Sequence, residues 1–127
     1  MEASDIYKCI ADTQRLRILS LLDAGPLCVC HIQEILGESQ VKISKQLAYM
    51  KQRSLLEASR QGTWMVYALT KPLHGLIRAN IEYLLNADCE ECNQLQVDRI
   101  HRAELITRLQ EGETEAPIQL CKATNCC

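Results

Sequence analysis

The sequence predicts a mainly α fold with a small β-hairpin, arranged as a winged helix-turn-helix. Three observations carry this. The element order reads helix, helix, short turn, helix, hairpin, helix. The turn between the second and third helices is only about three or four residues long, as a helix-turn-helix requires. Two strand-like runs then flank a turn centred on Gly62, the signal of a hairpin that serves as the wing.

Each element has its own warrant. Ser4 to Leu22 reads as one helix, since Ile6, Ile10, Ile18, Leu19, Leu21 and Leu22 follow a helical spacing, and Gly25-Pro26 stops it. Leu27 to Leu36 is a short second helix with Val29, Ile32, Ile35 and Leu36 on one side and Gly37 just past its end. A third helix starts near Ser39, a suitable N-cap, and buries Ile43, Leu47 and Met50. Leu55 to Ala58 and Trp64 to Leu69 are the strands, joined by Ser59-Arg60-Gln61-Gly62-Thr63. Pro72 suits the first position of the next helix, which carries Leu73, Leu76, Ile77, Ile81, Leu84 and Leu85 and runs to about Ala87. A last amphipathic segment covers roughly Gln94 to Leu109. From Glu111 the chain is polar, acidic and broken by Pro117, the pattern of a flexible tail.

A chain of 127 residues is one domain at roughly 100–150 residues each. The expected division is a domain over 1–110 and a cysteine-bearing tail over 111–127. A hydrophobic share of 47% excludes disorder over most of the length. Five glycines, all isolated, exclude both collagen-like repeats and a glycine-rich nucleotide loop. The three histidines lie far apart and form no Ser/His/Asp set, so an enzyme is not expected. No run of apolar residues is long enough for a transmembrane helix, and the acidic start is unlike a signal peptide. The expected location is the cytoplasm, with no membrane partner. There the eight cysteines would be reduced and available for metal or redox chemistry rather than locked as structural disulfides.

The net charge of −2 conceals a basic island. Ser39 to Gly62 holds Lys42, Lys45, Lys51, Arg53 and Arg60 against Glu57 alone, a local charge of +4. A solvated helix face would account for any one of these groups. Together with the short turn and the hairpin, they point to double-stranded DNA. Gln40, Lys42, Ser44, Lys45 and Gln46 stand in the half of the third helix that meets base edges, and Arg60, with Lys51 and Arg53, suits phosphates. Such binding falls steeply with salt. One module would bind weakly, and the apolar stripes of the first helix and of the helix after the hairpin suggest a homodimer that reads a near-palindrome.

Leu27-Cys28-Val29-Cys30-His31 is the most informative segment. Alternate positions of a regular helix point about 200° apart. Cys28 and Cys30 therefore cannot grip one ion unless the helix start is frayed or extended, and they sit at that start. The N-terminus of the helix should favour thiolate. A thiophilic ion would then draw the sulfurs together, distort the first turn and tilt the recognition helix.

These residues resemble the metal-binding box of the ArsR/SmtB family of metal-sensing winged-helix repressors, closest to its arsenic-responsive branch. The resemblance continues through Ser39-Gln40-Val41-Lys42-Ile43-Ser44-Lys45-Gln46-Leu47 and Gln61-Gly62-Thr63-Trp64-Met65-Val66-Tyr67, over about residues 5–87. It implies a homodimeric repressor that leaves operator DNA when trivalent arsenic or antimony binds cysteine thiolates, with no organic cofactor. Cadmium, lead or zinc is the alternative inducer, and a thiol redox switch the alternative chemistry. Pro26 and His31 depart from the usual Glu and Asp. Some members carry a third cysteine three residues on, where this chain has Gln33. Cys9 is the candidate third sulfur, against a core thiol beside Ile6 and Ile10. His31 could give a nitrogen ligand, against an ordinary solvated helix histidine. Cys89 and Cys92, three residues apart, form a second candidate chelate, against a partly exposed pair at a helix end. Cys121, Cys126 and Cys127 lie in the expected tail. His74 lacks the neighbours that a zinc site on its helix would need.

Overall fold

The computed structural model describes residues 2–71 and 74–112. Its elements are α1 (Ala3–Ile10), α2 (Thr13–Asp23), β1 (Leu27–Cys28), α3 (Val29–Leu36), α4 (Gln40–Gln52), β2 (Leu56–Gln61), β3 (Trp64–Leu69), α5 (Gly75–Asn86) and α6 (Glu90–Gln110). The strands form an antiparallel sheet in the order β1-β3-β2. This is the expected winged helix-turn-helix: α3 and α4 make the turn motif, and β2 with β3 makes the wing. The places expected for Pro72, Leu73, Pro117, Cys121, Cys126 and Cys127 lie outside the described residues.

Several boundaries follow directly from local chemistry. Gly37 closes α3 in the left-handed region at φ 66°, which costs a glycine little. The Ser39 side chain accepts from the Lys42 N–H and starts α4. Gly62 supplies the positive φ of the wing tip. Gln61 pairs with Trp64, so the turn is tighter and β2 longer than the sequence suggested.

Two helices are shorter than the apolar spacing predicts. The stretch from Ser4 to Leu22 is two helices because Asp12 is extended (φ −87°, ψ 121°) and its carboxylate accepts from Arg15 N at 3.0 Å. The break lets α1 bury Ile6 and Cys9 while α2 buries Leu16, Ile18, Leu19, Leu21 and Leu22. Leu27 and Cys28 are strand rather than helix, because their backbones pair with Tyr67 and Val66 of β3.

The last helix is longer than the apolar spacing predicts. Cys89 caps α6 and Glu90 and Glu91 fill its first turn, where negative charge is favoured. Its buried stripe holds Cys92, Leu95, Asp98, Arg102, Leu105 and Ile106. Asp98 takes a two-pronged hydrogen bond from Arg17 of α2 at 2.8 and 2.9 Å, and a third from Gln94 at 2.9 Å. Arg99 donates to Ser20 O at 2.9 Å. Thus α6 is stapled along α2, and its far end reaches α3 through Arg108–Glu34 at 2.7 Å. Among the described residues, no helix is long and apolar enough to cross a membrane.

Candidate metal centre and nucleic-acid interface

Cys28 is at once the end of β1 and the N-cap of α3, with extended backbone at φ −82° and ψ 160°. Cys30 is the second helical residue. Because Cys28 stands outside the helix, the opposed directions of a regular turn do not apply. The two Sγ atoms are 2.7 Å apart, and His31 Nδ1 is 2.9 Å from Cys28 Sγ. This corrects the expectation that an ion must first distort the helix to gather the sulfurs: the fold has already gathered them. The three donor atoms lie within 4.8 Å of one another. Two soft sulfurs and an imidazole suit a thiophilic ion or metalloid.

The site is half sheltered. Cys28 is buried against Val66, with Trp64 and Leu109 packed alongside, while Cys30 is exposed. His31 is only 6% exposed, which settles against a solvated helix histidine. Its ring stacks on Trp64, with centroids 5.8 Å apart and planes 26° from parallel. Neither the burial of His31 nor its contact with Trp64 was foreseen. The signal was the wing itself: only β3 pairing with β1 brings position 64 over position 31.

Burial also reverses the expected thiol acidity. The Cys28 pKa is pushed up to about 12, chiefly by burial and then by its hydrogen bond with Cys30. The helix N-terminus does not offset this. His31 is shifted down by burial, opposed by the nearby Glu34 and aided by Arg108. Both shifts keep the folded groups neutral. As pH falls below about 6.5 the unfolded histidine takes a proton that folded His31 resists, and as pH rises above about 8.5 the unfolded thiol loses one that folded Cys28 keeps. Stability should therefore fall on both sides of that window. Thermal melts across pH check it: His31→Gln should flatten the acid side and Cys28→Ser the alkaline side.

The other thiols are placed differently. Cys9 is fully buried in the main core with Ile6 and Ile18, and burial raises its pKa. It does not belong to the cluster of Cys28, Cys30 and His31, so the core reading holds within the protomer. Cys89 and Cys92 are joined in a disulfide at the start of α6. Bonded to each other they offer no thiolate, which corrects the expectation of a second chelate there.

Gln40, Lys42, Ser44 and Lys45 are exposed along α4, and Arg60 is exposed near the wing tip. Gln46 is not free to read a base. Its amide nitrogen donates to Asp12 Oδ1 and Gln14 Oε1, both at 3.2 Å, and its oxygen accepts from Arg15 at 3.1 Å. It locks α4 to α2. Arg53 is likewise held, with its guanidinium 3.5 Å from the Tyr49 ring centroid and Arg15 at 4.0 Å.

A family model described as "Bacterial regulatory protein, arsR family" matches residues 12–57, which hold α2, the thiol pair and all of α4. The arsenic resistance transcriptional regulator ArsR2 of Pseudomonas putida is 33% identical over 87 residues, covering 68% of this chain and 76% of that one. Reduced HlyU from Vibrio cholerae superposes with a TM-score of 0.61 at 27% identity, over 69% of this chain and 90% of that one. The AntR antimony-specific transcriptional repressor does so with a TM-score of 0.56 at 30% identity, over 66% and 77%. The chain belongs to the arsR family of bacterial regulatory proteins.

Proposed function

We propose that this protein is a transcriptional repressor that holds operator DNA as a homodimer in the cytoplasm and releases it when trivalent arsenic or antimony bonds to Cys28 and Cys30. The observation that carries the reading is the pair of sulfurs held 2.7 Å apart with one thiol exposed to solvent. The name of the Pseudomonas relative concerns arsenic resistance and that of the structural relative concerns antimony, two metalloids of like chemistry.

The chemistry suits a neutral, half-buried site. Each thiol exchanges its proton for a bond to arsenic, and each proton leaves with one hydroxide of arsenous acid as water. Two As–O bonds break, two As–S bonds form, and the oxidation state does not change. Binding through the uncharged acid needs no net charge in the apolar cluster around Cys28, whereas a divalent ion such as cadmium or zinc would have to drive off two protons. His31 Nδ1 is placed to turn toward the bound atom.

On DNA, Gln40, Lys42, Ser44 and Lys45 enter the major groove and Arg60 meets a phosphate. The dimer face is built from α1 and α5, which pack together and leave Tyr7 (55%) and Tyr83 (74%) exposed. A gel-shift titration tests the proposal. Arsenite under reducing conditions should free the operator, and cadmium at equal concentration should do so less well. Release by peroxide alone, with no metalloid present, would replace the proposal with a redox switch.

A further inference from the structure

The position of the thiols within α3 decides where binding is felt. Cys28 and Cys30 are at the N-terminal end of α3, whereas α4 begins beyond its C-terminal end. The eight residues of α3, or about 12 Å of helix, separate Cys28 from the turn that leads to the recognition helix. The wing is far nearer. Cys28 pairs directly with Val66 of β3, and β3 pairs with β2, where Arg60 lies opposite Met65. A second path joins the same two places through side chains. Cys28 Sγ touches His31 Nδ1 at 2.9 Å, and the His31 ring stacks on Trp64. Trp64 is the first residue of β3 and follows directly on the tip at Gly62 and Thr63.

We propose that Trp64 is the positioning residue that carries the inducer signal, so that metalloid binding displaces the wing through His31 and Trp64 rather than by tilting the recognition helix. The inference rests on Cys28 and Cys30 being the inducer site. When the Cys28 sulfur exchanges its hydrogen for a bond to arsenic, its contact with His31 Nδ1 must be remade. The imidazole is buried and stacked, so it cannot turn without moving the indole beneath it. Motion of Trp64 moves the strand start to which the tip is attached, and with it Arg60 on the neighbouring strand. Two discrete positions of this stack, one for each state of the sulfur, are all the coupling needs.

Trp64 is the one tryptophan of the chain, so its emission reports its own surroundings. Wild-type protein titrated with arsenite should show a saturable change in emission that tracks bound arsenic measured by equilibrium dialysis. Trp64→Leu should bind arsenite with the wild-type stoichiometry and hold the operator in its absence, but the arsenite-driven loss of operator affinity should shrink by about tenfold, within the usual range of coupling between sites. Trp64→Phe, which keeps an aromatic ring on His31, should restore most of the response. A merely structural role would lower operator binding in both variants and leave the ratio with and without arsenite unchanged. Release of Trp64→Leu by arsenite as readily as wild type would overturn the proposal, and so would wild-type emission that does not move at saturating arsenite. Wild-type protein that stays on DNA under arsenite would instead overturn the inducer site itself, and this proposal with it.

Discussion

The double variant Cys28→Ser/Cys30→Ser should bind operator DNA as the wild type does and fail to leave it with arsenite. The required inducer concentration should rise by on the order of a hundredfold or more, since two thiols on one rigid scaffold act as a single chelate and the second bond forms at high effective concentration. The single variants separate two contributions. Cys30 is exposed, so Cys30→Ser removes a ligand at little cost in buried surface. Cys28 is fully buried beside Val66, Trp64 and Leu109, and Cys28→Ser places a shorter, more polar hydroxyl in that cluster, in place of a sulfur that contacts Cys30 Sγ and His31 Nδ1. Cys28→Ser should therefore lose both inducer binding and some stability, whereas Cys30→Ser loses binding alone. Arsenic stoichiometry, operator affinity and a thermal melt on all three proteins distinguish these. An arsenite response retained by the double variant would mean that the inducer is held elsewhere.

The winged helix-turn-helix was legible because it is written in local signals. Ser39 before α4, Gly37 after α3 and Gly62 at the wing tip each answer a need of the backbone at one point, and each stands where the fold uses it. The thiol pair is legible in the sequence as a cluster but not as a geometry. Periodicity assigned Cys28 to a helix because Leu27 and Cys28 continue the apolar run of α3. What removes Cys28 from that helix is its pairing with Val66, a residue 38 positions away, and no window on the sequence contains both. The same long-range strand pairing buries His31 and sets Trp64 upon it. The hydrogen bonds of Gln46 are hidden from the sequence for a related reason. A polar residue on the recognition helix looks like a base reader until the N-terminus of α2 is seen to supply Asp12, Gln14 and Arg15 as its partners. The break at Asp12 was the one local signal overlooked. An Asp whose carboxylate accepts from the backbone N–H three residues later is an N-cap, and the apolar spacing across Asp12 is good enough to hide the interruption.

Asp98→Ala should be the most damaging single change to stability, at about 3 kcal/mol or more, the usual cost of removing one partner of a buried ion pair. Asp98 is wholly buried and serves as acceptor for both Arg17 and Gln94. The Arg17 pKa is raised chiefly by that hydrogen bond, so the carboxylate is what makes its charge tolerable under α6. Without it, a guanidinium that is 19% exposed by its side chain must be resolvated or left unpaired. Urea denaturation measures the loss directly. Combining Arg17→Met with Asp98→Leu should recover most of it, because the pair then departs together and the space is refilled by apolar atoms of similar bulk. Recovery would show that the pair fixes how α6 lies on α2 more than it contributes net stability. The effect should also reach the thiols. The same helix that is stapled at Asp98 carries Leu109, its last residue but one, against Cys28. If Asp98→Ala lets α6 lift, Cys28 loses part of its cover and should react faster with a thiol reagent, while the already exposed Cys30 keeps its rate. Unchanged Cys28 reactivity in a clearly destabilised variant would mean that Leu109 is held by Arg108 and Glu34 alone, and that the two ends of α6 act independently.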